Sequence, residues 1–209
     1  MQLFRKLVET ISDHPVLFIA IRGLLENDFK AIRAVIRREL RPGTGLRTLD
    51  LGCGPGAFAD LFHGDDLFGV DLNARYIDYA RNHRKGTFLV SDARKIDLPD
   101  ARFDQILVFG LLHHLDDADA RAVLSECSRL LASGGRALVV EDIPAVSRVN
   151  LIGHLIHAAE NGEHIRKAED YRRLYDERFR VAREEVLKSG ICDYYAAVLV
   201  APGPPEARH

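Results

Sequence analysis

The chain has 209 residues, 29 Lys and Arg against 31 Asp and Glu, and a net charge of −2. One domain is the default at this length, and the mildly acidic balance gives none of the basic surplus expected of a nucleic-acid partner. Three cysteines, Cys53, Cys127 and Cys192, form no Cys-x-x-Cys pair, which fits a reducing compartment with no disulfide framework. The apolar stretch 15–25 is too short to span a bilayer and is broken by Arg22. With no signal peptide visible, the expectation is a soluble cytoplasmic protein without stable membrane insertion.

Residues 1–40 read as helical. Leu3, Phe4, Leu7, Val8 and Ile11 share one face, as do Phe29, Ile32, Val35, Ile36 and Leu40. Asn27 or Asp28 is the expected cap of the second helix, and Arg41-Pro42-Gly43 its stop. From Leu46 strands and helices alternate: a strand over 46–51, a helix over 55–62, a strand over 66–70, and a helix over 73–82 capped by Asn73. Strands follow over 87–90 and 103–109, then a helix over 118–131 ended by Ser133-Gly134-Gly135, and a strand over 137–141. This rhythm predicts a doubly wound, mostly parallel sheet with helices on both faces. Segments 179–187 and 194–200 leave no room for a helix between them and should pair as a C-terminal antiparallel hairpin. Residues 142–176 form an insertion with an apolar face, Leu151, Ile152, Leu155 and Ile156, and a further helix over 169–175; residues 203–209 read as a disordered tail.

The whole chain is read as a single domain. Residues 1–42 are its N-terminal helical segment or lid, 46–141 its cofactor-binding core, 142–176 a substrate-side insertion and 177–202 the hairpin. The basic runs Arg33, Arg37, Arg38, Arg41 and Arg166, Lys167, Arg172, Arg173 are interleaved with acids or spaced helically, and read as solvated faces.

The chemistry starts at Leu49-Asp50-Leu51-Gly52-Cys53-Gly54-Pro55-Gly56. A strand feeding a glycine-rich turn is the arrangement that holds a nucleotide-like cofactor, because glycines permit unusual φ and let backbone N–H groups approach a ligand. Asp71 ends the next strand about 20 residues on, where a carboxylate meets both ribose hydroxyls. By itself this pattern also suits a nicotinamide dehydrogenase.

Five stretches together carry a resemblance: the loop itself, Gly69-Val70-Asp71-Leu72, Ser91-Asp92-Ala93, Phe103-Asp104-Gln105-Ile106-Leu107-Val108 and Leu131-Ala132-Ser133-Gly134-Gly135. In this order they resemble the class I S-adenosylmethionine-dependent methyltransferases. The resemblance implies a seven-stranded Rossmann-like sheet whose last strand runs antiparallel. It places Asp50 and the backbone of Gly52, Cys53 and Gly54 at the methionine part of S-adenosyl-L-methionine, Asp71 at the ribose and Leu72 on the adenine. Asp92 would accept from the adenine amino group beside the Ala93 N–H, and Phe109 and Gly110 would line the reactive end.

His113 and His114 follow the fourth strand, where a double His is common in small-molecule members of that family, and are the catalytic candidates; one of them packing structurally is the competing reading. Glu141 and Asp142 end the fifth strand, with substrate contact or local capping as their two readings. His154, His157 and His164 lie in the insertion without a zincin pattern, so no metal is expected. Tyr194 and Tyr195 read as sheet packing. The expected function is methyl transfer to a small, hydrophobic or amphipathic molecule by in-line displacement. An NAD(P)-dependent oxidoreductase and a non-catalytic cofactor-binding protein are the alternatives. No oligomerisation signal is visible.

Overall fold

A computed structural model describes residues 14–144, 164–175 and 177–201. Its centre is a seven-stranded sheet in the order β3-β2-β1-β4-β5-β7-β6. The strands are β1 Arg47–Leu51, β2 Asp66–Asp71, β3 Thr87–Val90, β4 Phe103–Phe109, β5 Leu131–Asp142, β6 Arg180–Ser189 and β7 Cys192–Val200. The first five pair in parallel, and β7 pairs antiparallel with both β5 and β6. The expected mostly parallel sheet with a terminal hairpin is thus present. The order reverses between β1 and β4, and the crevice at such a point, outside the carboxyl ends of the strands, is where open α/β sheets take ligands.

The helices are α1 Pro15–Leu25, α2 Lys30–Glu39, α3 Ala74–His83, α4 Asp117–Leu130 and α5 Ala168–Arg172. Strand alternation divides the core in two. On one face Leu49, Leu51, Ile106, Val108 and Val139 meet Val123, Leu124 and Cys127 of α4 and Tyr171 of α5. On the other, Leu107, Leu138 and Val140 meet Ile32, Val35 and Ile36 of α2 and Ile77 and Ala80 of α3.

Three local expectations are corrected. The glycine-rich loop is followed by a single 3-10 turn, Ala59–Phe62, not an α-helix. Hydrogen bonds three residues apart, Gly56 N to Cys53 O, Ala59 N to Gly56 O and Leu61 N to Phe58 O, hold the tighter winding. Helix α2 has no Asn or Asp side-chain cap. Asn27, Asp28 and Phe29 all take left-handed φ of 53° to 55°, and the carbonyls of Glu26 and Asn27 accept the N–H groups of Phe29 and Lys30 instead. Helix α4 does not end on Gly134 and Gly135. It passes directly into β5 at Leu131, and the glycines lie inside β5, where its register with β4 shifts. A Cβ on Gly135 would meet the Asp104 and Ala132 carbonyls at 2.9 Å, so this glycine serves a close backbone approach.

Other expectations hold. Asn73 caps α3, its Oδ1 accepting from the N–H groups of Arg75 and Tyr76. The α2 face buries Ile32, Val35, Ile36 and, just beyond it, Leu40. The predicted faces at residues 3–11 and 151–156, His154, His157 and the tail lie outside the described residues.

Candidate active site

Every described residue of the candidate site stands at a strand's carboxyl end or in the loop that follows. At β1, Gly52 N and Cys53 N both donate to Val70 O, at 2.8 and 3.0 Å, folding the loop across the end of β2. Gly52 and Gly54 have φ of 77° and 52°, and a Cβ on Gly52 would lie 3.2 Å from the Leu111 side chain. Glycine is therefore required there by conformation and by space. Cys53 is buried, and burial pushes its thiol pKa well up, so it packs as a neutral side chain and is no nucleophile.

Asp50 is 2% exposed. Burial, with the Asp71 charge adding to it, pushes its carboxyl up to about 7. Asp71 accepts from Gly54 N and Asn73 N, each at 2.8 Å, one on each oxygen. A carboxylate has about four acceptor positions, so Asp71 both fixes the loop and retains capacity for a ligand's hydroxyls. Its pKa is also raised, by burial, against the pull of these backbone bonds. Leu72 next to it is 71% exposed and Val90 at the end of β3 is 46% exposed, a bare apolar surface beside the acid. Beyond β3, Asp92 is held by the Arg94 guanidinium at 2.6 to 3.0 Å, which keeps its pKa low, and Arg94 also reaches Asp119 at 2.9 Å. Ala93 packs partly buried against the core.

At β4, Phe109 sits edge-on to Phe58 (4.9 Å between centroids) and Phe29 (6.0 Å), with Tyr194 tilted at 5.8 Å. Gly110 N donates to Val140 O at 2.9 Å and has a φ of 62°. The two histidines that follow differ. His113 is buried and His114 is exposed, their rings 4.1 Å apart. His113 Nδ1 lies 2.9 Å from Glu141 Oε2. Burial lowers its pKa, but the Glu141 hydrogen bond and the charges of Glu141 and Asp142 outweigh this, and the net shift is upward.

Glu141 is consumed locally. Its oxygens accept the N–H groups of Leu111 (3.0 Å), Leu112 (2.8 Å) and His113 (3.2 Å) besides the imidazole. The neighbouring Asp142 is equally buried, yet neither carboxylate oxygen has a hydrogen-bond partner among the described residues.

Sequence reasoning missed two supports of this site. The spacing of the 166–173 basic run suggests a solvated face, yet Arg166 is 9% exposed. It donates to Leu112 O, Leu115 O and Asp117 Oδ1 at 2.7 to 2.9 Å, clamping the β4–α4 loop. Arg22 of α1 and Glu26, just after its end, form an ion pair, and both hydrogen-bond the Tyr194 hydroxyl. Sheet packing, the reading its place in the strand suggests, is only part of the role of Tyr194. A buried-arginine clamp shows no periodicity, and the Arg22–Tyr194 contact spans 172 positions, so no local signal marks either. Among the described residues no group of three or more His, Cys, Asp or Glu is arranged to hold a metal, and no helix is long and apolar enough to cross a membrane.

Residues 48–135 match a family described as a methyltransferase domain. A ubiquinone biosynthesis O-methyltransferase of Cereibacter sphaeroides is 37% identical over 101 residues, covering 45% of this chain and 40% of that protein. A demethylmenaquinone methyltransferase of Thermotoga maritima is 34% identical over 104 residues, 47% of this chain and 44% of that one. The chain thus spans less than half the length of these two curated relatives. A crystal structure described as a SAM-dependent methyltransferase from Archaeoglobus fulgidus superposes with a TM-score of 0.69. It covers 87% of this chain and 98% of its own at 21% identity, a likeness of fold.

Proposed function

We propose, from the match of residues 48–135 to a methyltransferase-domain family, that this protein transfers a methyl group from S-adenosyl-L-methionine to a small, hydrophobic or amphipathic molecule. The observation that carries the reading is the convergence of Asp50, the Gly52–Gly54 loop, Asp71 and the bare Leu72 surface around the point where the strand order reverses.

These residues fit the donor. The buried Asp50 carboxyl, raised to about 7, is completed by a cation such as the methionine ammonium. Gly52 and Gly54 bring the backbone close with no side chain in the way. Asp71 keeps acceptor capacity for ribose hydroxyls, Leu72 offers an apolar face to the adenine, and Asp92 with Ala93 flanks its edge. Phe109 and Gly110 border the reactive end. Bound there, the donor supplies an electrophilic methyl for an in-line displacement.

The protein's task is then to hold the acceptor near contact and exclude water. Phe109, partly buried and backed by the buried rings of Phe29, Phe58 and Tyr194, suits an apolar acceptor, and the quinone-directed names of the relatives agree with that. Segments 1–42 and 142–176 supply the acceptor side, with α1 tied to the sheet through Arg22, Glu26 and Tyr194. His114, exposed at the loop, is the better placed of the two histidines to meet an acceptor. His113 positions the loop from beneath.

Isothermal titration with S-adenosylhomocysteine tests the donor assignment, and micromolar binding is expected. NADH binding without S-adenosylhomocysteine binding would replace this reading with an oxidoreductase. Radiolabelled donor incubated with a panel of quinols, phenols and polar amines tests the acceptor class; transfer to polar amines alone would overturn it.

A further inference from the structure

Asp142 is fully buried, and among the described residues neither of its carboxylate oxygens has a hydrogen-bond partner. Buried polar groups are nearly always hydrogen-bonded, and a carboxylate that has only the charge of His113 at 3.9 Å and no hydrogen bond needs a reason. The donors around it are committed elsewhere. His113 Nδ1 bonds Glu141 at 2.9 Å and stays 3.9 Å from Asp142 Oδ2. The Tyr171 hydroxyl donates to the Asp142 main-chain oxygen, not to the carboxylate. Tyr194, paired directly across the β5–β7 ladder, gives its proton to Glu26.

The position of this orphan is specific. Asp142 lies two residues beyond Val140, whose carbonyl takes the Gly110 N–H. Residues directly opposite in a ladder share a face, so Asp142 stands on the Tyr194 side, whose ring lies 5.8 Å from Phe109. It therefore lies beside Tyr194, behind Phe109, at the end of the sheet assigned above to the reactive end of the donor.

Resting on the methyltransferase reading above, we propose that Asp142 is the acceptor-binding residue and that the acceptor presents it with a phenolic hydroxyl. A flat aromatic ring suits the partly buried Phe109, which Tyr194 backs from the core. A neutral phenol enters an apolar site at lower desolvation cost than an ammonium, and its O–H is the donor that Asp142 lacks. In the transfer the O–H proton passes to the Asp142 carboxylate and the new O–CH3 bond forms. The methyl–sulfur bond of the sulfonium donor breaks, with its electron pair staying on sulfur. The proton returns to solvent when product leaves.

The test is calorimetric and needs no turnover. 4-Hexylcatechol and 1,2-dimethoxy-4-hexylbenzene, which lacks O–H donors, are titrated into the full chain saturated with S-adenosylhomocysteine. The native protein should bind the catechol at least tenfold tighter than the dimethoxy compound. Asp142→Asn and Asp142→Leu should abolish that preference, keep S-adenosylhomocysteine affinity within twofold, and melt at the same or a higher temperature. A preference that survives in Asp142→Asn, no preference in the native protein, or tighter binding of 4-hexylbenzylammonium than of the catechol overturns the assignment. So does a lower melting temperature in both variants, which marks a purely structural carboxylate. Failure of the native protein to bind S-adenosylhomocysteine would instead defeat the methyltransferase reading.

Discussion

His113 and Glu141 lie 2.9 Å apart, imidazole Nδ1 to carboxylate Oε2, both buried and on segments 28 residues apart in the chain. The pair closes a knot in which Glu141 also accepts three consecutive backbone N–H groups of the loop after β4. A paired carboxylate at the end of β5 thus sets the path of the loop that carries both histidines.

Removing that carboxylate leaves three buried N–H groups and a histidine without an acceptor. Glu141→Ala should therefore cost roughly 3–5 kcal/mol of folding stability. Glu141→Gln keeps one acceptor oxygen and should cost less. Urea denaturation of the three proteins, compared at constant m-value, measures the order, and equal stability of the alanine variant would contradict it.

The pair also fixes a pH dependence. The His113 pKa is raised above 6.5 in the folded protein. The stability it contributes is fully present below about 6.5, the unfolded value, and is lost as pH rises through the folded value. Melting temperature should accordingly fall on the alkaline side of 6.5. His113→Gln should flatten that fall, as seen by thermal scans between pH 6 and 9.

On the proposed donor assignment, Asp50 gives a pH dependence of the opposite sense. Without ligand its carboxyl titrates at about 7, so protonation is favoured below that pH, and a cationic ligand group favours the ionised form. Affinity for S-adenosylhomocysteine should rise as pH rises through 7 and level off above it, with net proton release on binding near neutrality. Asp50→Asn should bind at least tenfold more weakly and lose the pH dependence. Calorimetry in buffers of differing ionisation enthalpy reads both effects.

Gly190 tests how α1 is held. It turns between β6 and β7 with a φ of 57°, and a Cβ there would collide with Leu25 O, at the end of α1. Ile191 N donates to Leu25 O at 3.1 Å and Ser189 Oγ to Glu26 O at 2.9 Å. Gly190→Ala adds the left-handed penalty of about 1–2 kcal/mol to the loss of this docking. The expected result is a lower melting temperature and faster amide exchange in α1, with S-adenosylhomocysteine affinity little changed. Unchanged exchange in α1 would show that the hairpin turn does not hold it.

The architecture was legible in sequence because its signals are local. Apolar runs of strand length, the Asn73 cap and the missing helix between 187 and 194 each reflect residues near one another in the chain. So do Asp50, Asp71 and the glycines, because a strand delivers its last residue to the same edge of a parallel sheet every time. Misread segments were those where one signal has two physical causes. Gly134-Gly135 resembles a helix stop, yet the glycines relieve a close contact with the Asp104 backbone at an irregular strand pairing. Asn27 and Asp28 resemble caps, yet both take left-handed backbone conformations in which main-chain carbonyls accept the first N–H groups.

The sequence by itself therefore determined the sheet and the edge along which the candidate donor site lies, since periodicity and turn chemistry act over a few residues. Which polar side chains support the loops and which is left over was decided only by tertiary structure. Glu141 and Asp142 are adjacent carboxylates on one strand and look equivalent in the chain. Alternation turns them to opposite faces of the sheet, where Glu141 meets a loop full of donors and Asp142 meets neighbours whose donors are already taken.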